Sequence, residues 1–369
     1  MKTIRFGIIG CGLMGREFAS AAARWKHLIG MTARPEIVAV SDVNPQAMEW
    51  FETPFATTDY RELLARADVD AVYVAVPHDL HQTIYCDAIR AGKHLFAEKP
   101  FGIDLAAAYT IMECIQENPN VLVRCSSEFP FFPGAQRIAK MVADNAFGRI
   151  LEVRAGFCHS SDLDPTKPIN WKRRVATCGE YGCMGDLGLH VLHLPLRFGF
   201  EPTDVRALLS KVVETRPDGK GGTAPCETWD NAILACRAKA GFPMVLETKR
   251  ISPGDTNTWY LRIYGTENSV EFSTRHPKTL RTLPYQPGKP QAWCEEDLGY
   301  ASAYPAITGG IFEFGFPDAI LQMWASFVDE LAGNEPKFRC ATPEEAFASH
   351  RLFTAALESQ REASVVSLA

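Results

Sequence analysis

A chain of 369 residues, 46% hydrophobic and 22% charged, has the composition of an ordinary globular protein and the length for about two domains, each with its own core. Its net charge of −6 offers no basic field to a nucleic-acid backbone, and no apolar run approaches the ~20 residues that span a bilayer, so neither nucleic acid nor membrane is an expected partner. Eleven cysteines, odd in number, scattered and without a C-x-x-C pair, read as small buried hydrophobes of a reducing compartment; the chain start runs directly into a strand rather than a leader, so the expected location is the cytoplasm.

Ile4–Ile9 is a short isoleucine-rich run, followed by a glycine loop and by Met14–Arg24, an alanine-rich helical stretch. Further buried strands are expected at Ile37–Ser41, Ala71–Ala75, His94–Ala97 and Val121–Arg124. Helical patterns lie between them at Pro45–Phe51, Tyr60–Ala67, His81–Ala91 and Leu105–Glu117. Near-continuous apolar strands alternating with helices imply a parallel sheet covered on both faces, a doubly wound α/β domain over residues 1–125.

The pattern then changes. Pro133–Ala146 reads as a helix, after which Leu151, Val153, Ala155 and Phe157 alternate with Glu152, Arg154 and Gly156, the period of a half-exposed strand. Asp204–Val213, Ala232–Ala238, Met244–Lys249, Tyr260–Tyr264 and Ser269–Phe272 are further strand candidates. Residues 126–369 are therefore expected to form an α+β domain with a large, mostly antiparallel open sheet. Residues 158–183, 216–228 and 284–317 read as long loops rich in Gly and Pro, of the kind that shape a site or an interface. Asp318–Leu331 and Pro343–Arg361 are closing helices, free to pack back on the first domain. The short basic cluster Lys172-Arg173-Arg174 reads as solvated surface or an anion contact.

Three segments carry chemistry. In Gly10-Cys11-Gly12-Leu13-Met14-Gly15, glycines follow a strand and open a helix: Gly10 permits the tight turn, Gly12 the approach of a pyrophosphate, Gly15 close strand–helix packing. The helix start, with Leu13 and Met14, offers free N–H groups to the anion. Asp42 closes the second strand, further past Gly15 than the usual ~20 residues, where a carboxylate accepts from ribose hydroxyls and repels a 2′-phosphate. That favours NAD over NADP. Val76-Pro77-His78-Asp79-Leu80-His81 and Glu98-Lys99-Pro100 leave successive strands at the carboxyl edge of the sheet, where ligands of open α/β sheets bind. Pro77, His81, Glu98 and Lys99 are cofactor-side candidates, and the Lys99 amine can also bind the reacting oxygen of a substrate. In Gly185-Asp186-Leu187-Gly188-Leu189-His190, Asp186 and His190 are spaced to share a helix face, which suits a general base with an orienting carboxylate. His193 lies one turn further on; the trio has a spacing that zinc accepts, but the cradle and Lys99 account for redox chemistry without a metal, and none is expected. Trp171 and His193 join Lys99, Asp186 and His190 as substrate-side candidates. Phe129, Phe131, Phe132, Trp171 and Tyr181 offer either a ring-stacking pocket or core.

Together these segments resemble the glucose–fructose oxidoreductase, inositol dehydrogenase and rhizopine-catabolism (Gfo/Idh/MocA) family over essentially the whole chain. The resemblance implies an N-terminal Rossmann domain, a C-terminal α/β domain with an open sheet, bound NAD(P), and a sugar, polyol or inositol substrate. It also implies a homo-oligomer, dimer or tetramer, that often buries that sheet. By position Lys99 matches the family lysine, Asp186 its aspartate and His190 its catalytic histidine. Two departures bear on the substrate: His193 stands where many members carry an acid, and Ser126–Pro133 replaces a more polar stretch, with Pro130 at the usual arginine. The expected reaction is hydride transfer between a secondary hydroxyl and nicotinamide. Glycoside cleavage by transient oxidation uses the same residues, and a non-catalytic sensor is the third reading.

Overall fold

Valine, isoleucine, alanine and phenylalanine fill both faces of the first strands, and such strands are stable only when helices cover both sides. A computed structural model describes residues 1–368. In it Lys2–Ile9 (β1), Ala33–Ser41 (β2), Ala56–Thr57 (β3), Ala71–Val74 (β4), His94–Ala97 (β5) and Val123–Cys125 (β6) form one sheet in the order β3-β2-β1-β4-β5-β6. Every pairing is parallel. The order reverses between β1 and β4, the switch point outside which such sheets bind ligands. Carboxylates cap the crossovers: Asp104 accepts from Ala107 N at 2.8 Å at the start of Leu105–Glu117, and Asp59 from Arg61 N at 3.0 Å before Tyr60–Leu64.

The chain divides into two compact units, the first comprising residues 1–131, 302–309 and 315–347, the second residues 132–301, 310–314 and 348–369. The first unit thus gains the helix Phe316–Leu331 from late in the chain. Its Trp324 is buried against Phe18 in a stacked pair with ring centroids 3.5 Å apart, and meets Tyr73 and Phe96 edge-on at 5.0 and 4.5 Å.

In the second unit nine strands form one sheet. Their order is Cys294–Asp297, Thr279–Pro284, Asn268–Ser273, Thr258–Gly265, Ile150–Cys158, Pro243–Lys249, Asn231–Ala238, Pro202–Ser210 and Val366–Ser367. All neighbours are antiparallel except Pro243–Lys249 beside Ile150–Cys158. Along Asn231–Ala238 the residues Ala232, Leu234, Cys236 and Ala238 are buried while the alternate ones are not. The buried face packs on the helix Cys183–Arg197. Arg154, Glu247, Tyr260, Arg262, Glu271 and Arg281 line a groove of about 670 Å³ on this unit. All three loops hold more order than their sequences suggest: Thr223–Pro225 pairs antiparallel with Thr215–Pro217 in a small separate sheet. Cys294–Asp297 is an exposed edge strand, which needs no apolar alternation, and residues 158–183 contain the turn Trp171–Arg173 and the short helix Val175–Cys178.

Candidate functional site

In the first unit β1 delivers the chain into the glycine loop. Gly10 has φ of 98°, and a Cβ there would lie 2.3 Å from the Ala75 carbonyl oxygen; one on Gly15 would lie 2.4 Å from that of Gly10. The fold itself demands both glycines. Gly12 differs: its backbone is extended, and a Cβ would meet nothing within 4 Å. The space over Gly12 is what a pyrophosphate needs, at the start of the helix Leu13–Ala23 with Leu13 exposed beside it and Met14 half-buried. Asp42 ties the loop down, its Oδ2 accepting from Cys11 N at 2.7 Å and its Oδ1 from Asn44 N at 2.8 Å. A carboxylate has about four acceptor positions, so two remain for ribose hydroxyls. These residues fit an NAD cofactor.

The turns after β4 and β5 are pinned by the helix His81–Arg90 and by β4 itself. His81 is fully buried, with Nδ1 2.8 Å from the Pro100 carbonyl oxygen and Nε2 2.9 Å from that of Val76. The Tyr85 hydroxyl donates to the Glu98 carbonyl at 2.6 Å, and that of Tyr73 to Glu98 Oε1 at 2.5 Å. Glu98 Oε2 accepts from Lys99 N at 3.2 Å, leaving the half-buried Lys99 ammonium carried on a turn held from three sides. Pro77, half-buried, precedes the turn His78–Leu80. A group that the sequence reading passed over sits alongside: Glu128 is buried on the loop after β6, where Ser126 N donates to the Ala97 carbonyl. Burial, with the Glu98 charge adding to it, pushes its carboxyl up to about 7.

In the second unit Asp186, His190 and His193 are all buried on the helix Cys183–Arg197. The Asp186 carboxylate receives the Lys172 ammonium at 3.0 and 3.2 Å and the Arg250 guanidinium. Arg250 also donates to Asp162 at 2.7 Å, and Arg173 donates to Asp162 and Asp230 at 2.6 Å each. Burial alone would raise the Asp162 carboxyl, but Arg250 and Arg173 outweigh it and hold it below the ordinary carboxylate value. Lys172 and Arg173 are therefore not solvated surface: Arg173 is 1% exposed, and Lys172 is a ligand of Asp186. A run of three basic residues hides this, because the acids that neutralise Arg173 lie elsewhere in the chain. Trp171 is half-buried, its ring centroid 5.5 Å from the Lys172 ammonium. The His190 ring meets Phe157 edge-on at 5.5 Å, and its carbonyl accepts from Trp259 Nε1 at 2.8 Å. His193 Nε2 lies 3.0 Å from an Arg197 donor, so that nitrogen accepts and the proton sits on Nδ1; burial, then the Arg197 charge, drives its pKa well below the ordinary imidazole value.

Of the five aromatic residues expected to form either a ring-stacking pocket or core, all but Trp171 are core. Phe129, Phe131, Phe132 and Tyr181 are buried, Phe131 against Phe338 and Phe132 against Phe314, each at 5.3 Å. Among the described residues no group of three or more His, Cys, Asp or Glu is placed to hold a metal ion, and no helix is long and apolar enough to cross a membrane.

Comparison with known proteins bears on the family and the fold. Residues 4–125 match the oxidoreductase family with an NAD-binding Rossmann fold, and residues 135–271 match the GFO/IDH/MocA C-terminal domain. Levoglucosan dehydrogenase of Pseudarthrobacter phenanthrenivorans is 26% identical over 291 residues, 74% of each chain. Inositol 2-dehydrogenase of Rhizobium meliloti is 25% identical over 284 residues, 75% of this chain and 78% of its own. The solved structure of levoglucosan dehydrogenase in complex with NADH and L-sorbose superposes with a TM-score of 0.92 over the whole of both chains at 23% identity. With its NAD-binding sheet and its open C-terminal sheet both accounted for, the chain belongs to the Gfo/Idh/MocA family of oxidoreductases.

Proposed function

We propose that the chain is an NAD-dependent dehydrogenase acting on a secondary hydroxyl of a sugar, polyol, inositol or glycoside. The observation that carries this reading is the Glu98–Lys99 turn, fixed at the carboxyl end of β5 in the same sheet edge as a glycine loop whose central position, Gly12, is left open. Bound NAD supplies the two-electron acceptor for the carbinol hydrogen. Gly10, Gly12, Leu13, Met14 and Gly15 hold its pyrophosphate side, and Asp42 holds the adenosine ribose and disfavours a 2′-phosphate. Lys99 donates a hydrogen bond to the reacting oxygen and stabilises charge there as the C–H bond breaks. His190 takes the hydroxyl proton, and the ion-paired Asp186 keeps a fixed negative charge on the same helix. Trp171 and His193 complete the substrate side of this reading. A homo-oligomer, dimer or tetramer, is part of it, as the family resemblance implies. Eleven free cysteines suit a reducing compartment such as the cytoplasm.

The test is single-turnover NADH absorbance across a panel of monosaccharides, inositols and glycosides. Lys99→Ala and His190→Ala should each slow hydride transfer about 10²–10⁴-fold while NAD still binds. Wild-type transfer in both variants overturns the assignment. Sugar released without net NADH points instead to glycoside cleavage by transient oxidation.

A further inference from the structure

The ring of His81 faces two acceptors and no donor. Its Nδ1 is 2.8 Å from the Pro100 carbonyl oxygen and its Nε2 is 2.9 Å from the Val76 carbonyl oxygen. A neutral imidazole carries one N–H and one lone pair. In either tautomer the neutral ring would satisfy one carbonyl and press an unprotonated nitrogen against the other at hydrogen-bond distance. Two lone pairs so placed repel, and the contact would open. Only the imidazolium donates to both oxygens.

We propose that His81 is a positioning residue held as an imidazolium, its two N–H groups clamping the turn after β4 to the turn after β5 and keeping a fixed positive charge within electrostatic reach of Lys99. The proposal rests on the dehydrogenase reading and extends it, because it bears on how strongly Lys99 donates to the reacting oxygen.

The forces on the ring can be named. Burial favours the neutral form, and the Lys99 charge adds to that; the hydrogen bonds to Pro100 and Val76 pull the other way, leaving a value of about 4. Against burial stands the geometry: both ring nitrogens remain at bonding distance from carbonyl oxygens, contacts that only the imidazolium keeps on both sides. The ring also stacks on Tyr85, centroids 4.8 Å apart and planes 22° from parallel, and an aromatic face attracts a cation. The other titratable neighbour is His78, with ring centroids 5.5 Å apart. Lys99 in turn feels Glu128 and Cys125 as well as His81. A second cation near Lys99 disfavours its ammonium and makes that ammonium a more acidic donor to the reacting oxygen.

The experiment uses the full-length chain with ¹⁵N-labelled histidine and no cofactor. Long-range ¹H–¹⁵N spectra should show, among nine histidines, one ring with both nitrogens protonated and unchanged from pH 5.5 to 8. That signal should vanish in His81→Gln. If the variant does not fold, the signal is assigned in the wild type from its proximity to the Tyr85 ring protons. A neutral single-tautomer pattern for His81 overturns the proposal. In single-turnover hydride transfer, His81→Gln should move the pH limb that belongs to Lys99 upwards by about one unit; an unmoved limb removes the electrostatic half. If the wild type oxidises no sugar while the protonated ring is seen, the dehydrogenase reading fails and the clamp stands.

Discussion

Asp186 is gripped by two cations of unequal exposure, and the difference separates their roles. Arg250 is 7% exposed and bridges Asp186 to Asp162, so a neutral replacement leaves Asp186 with Lys172 alone and Asp162 with Arg173 alone, a buried cluster short of one cation. Breaking a buried pair from one side costs about 3–5 kcal/mol. Arg250→Met should therefore lower stability by that order in urea unfolding; a midpoint shift worth under 1 kcal/mol would show that Asp186 does not need it. Lys172 is 30% exposed and can be lost without stranding a buried charge, because Arg250 remains. On the dehydrogenase reading, Lys172→Met should leave the unfolding midpoint nearly unchanged yet reduce kcat/KM about tenfold, since Asp186 would lose one of its two cations; an unaltered kcat/KM would confine Lys172 to charge balance. Glu128 gives a second residue-scale test. Burial first, then the Glu98 charge, raises its carboxyl from the ordinary 4.5 to about 7. Between those values the folded chain keeps a proton that the unfolded chain has released. The stabilisation is thus complete below about pH 4.5 and lost as pH rises through 7, at about 1.4 kcal/mol per pH unit inside the window. Thermal melts between pH 5 and 7.5 should show this slope in the wild type and a flatter one in Glu128→Gln. Equal slopes would show that Glu128 ionises normally.

Among the elements, the helix Phe316–Leu331 has the clearest energetic role. Trp324 is 1% exposed, stacked on Phe18 from the helix Leu13–Ala23 and edge-on to Tyr73 of β4 and Phe96 of β5. It joins the glycine-loop helix to the strands that lead to the turns after β4 and β5. Trp324→Ala leaves a cavity among these rings, and such truncations cost about 3–5 kcal/mol. The expected outcome is that loss in equilibrium unfolding together with weaker NAD binding, because the helix bearing Leu13 and Met14 loses its support. Lost stability with unchanged NAD affinity would show that the loop does not depend on this packing. The periodicity of Asp318–Leu331 marks a helix in the sequence, but no local signal says which core it completes. The same holds for the site. Gly10–Gly15, Asp42, Glu98 and Lys99 were legible because their backbone contexts are local, a strand end or a helix start. Lys172, Arg173, Arg250 and Glu128 were not, because their meaning depends on partners such as Asp186, Asp162 and Asp230 that only folding supplies. Cys294–Asp297 was missed for another reason: an exposed edge strand has no buried face to imprint a period.

At the scale of the whole molecule the two units are not two successive stretches of chain. It leaves the first unit after residue 131, returns for 302–309, and supplies 315–347 before ending in the second. The alternating strands and helices of residues 1–125 contain every strand of the six-stranded sheet, so the sequence pattern alone would locate a whole domain there. Packing argues that it is incomplete. Within the first unit Phe6, Phe18, Tyr73 and Phe96 all bury their rings against Trp324, and Phe6 and Phe96 also meet Phe327 at 6.2 and 4.7 Å. Arg124 is paired with Glu330, and Arg24 with Asp318 at 2.5 Å. A fragment ending at residue 125 keeps its hydrogen-bonded sheet but exposes those rings to water. It should show native-like far-ultraviolet circular dichroism, weak near-ultraviolet signal, binding of a hydrophobic dye and no sharp thermal transition, the marks of secondary structure without fixed packing. Adding a peptide of residues 302–347 should restore a cooperative melt and, with it, NAD binding. A sharp transition and full NAD affinity in the short fragment alone would place the stability of the cofactor domain in its own sheet and crossovers, and would reduce the late helix to a covering.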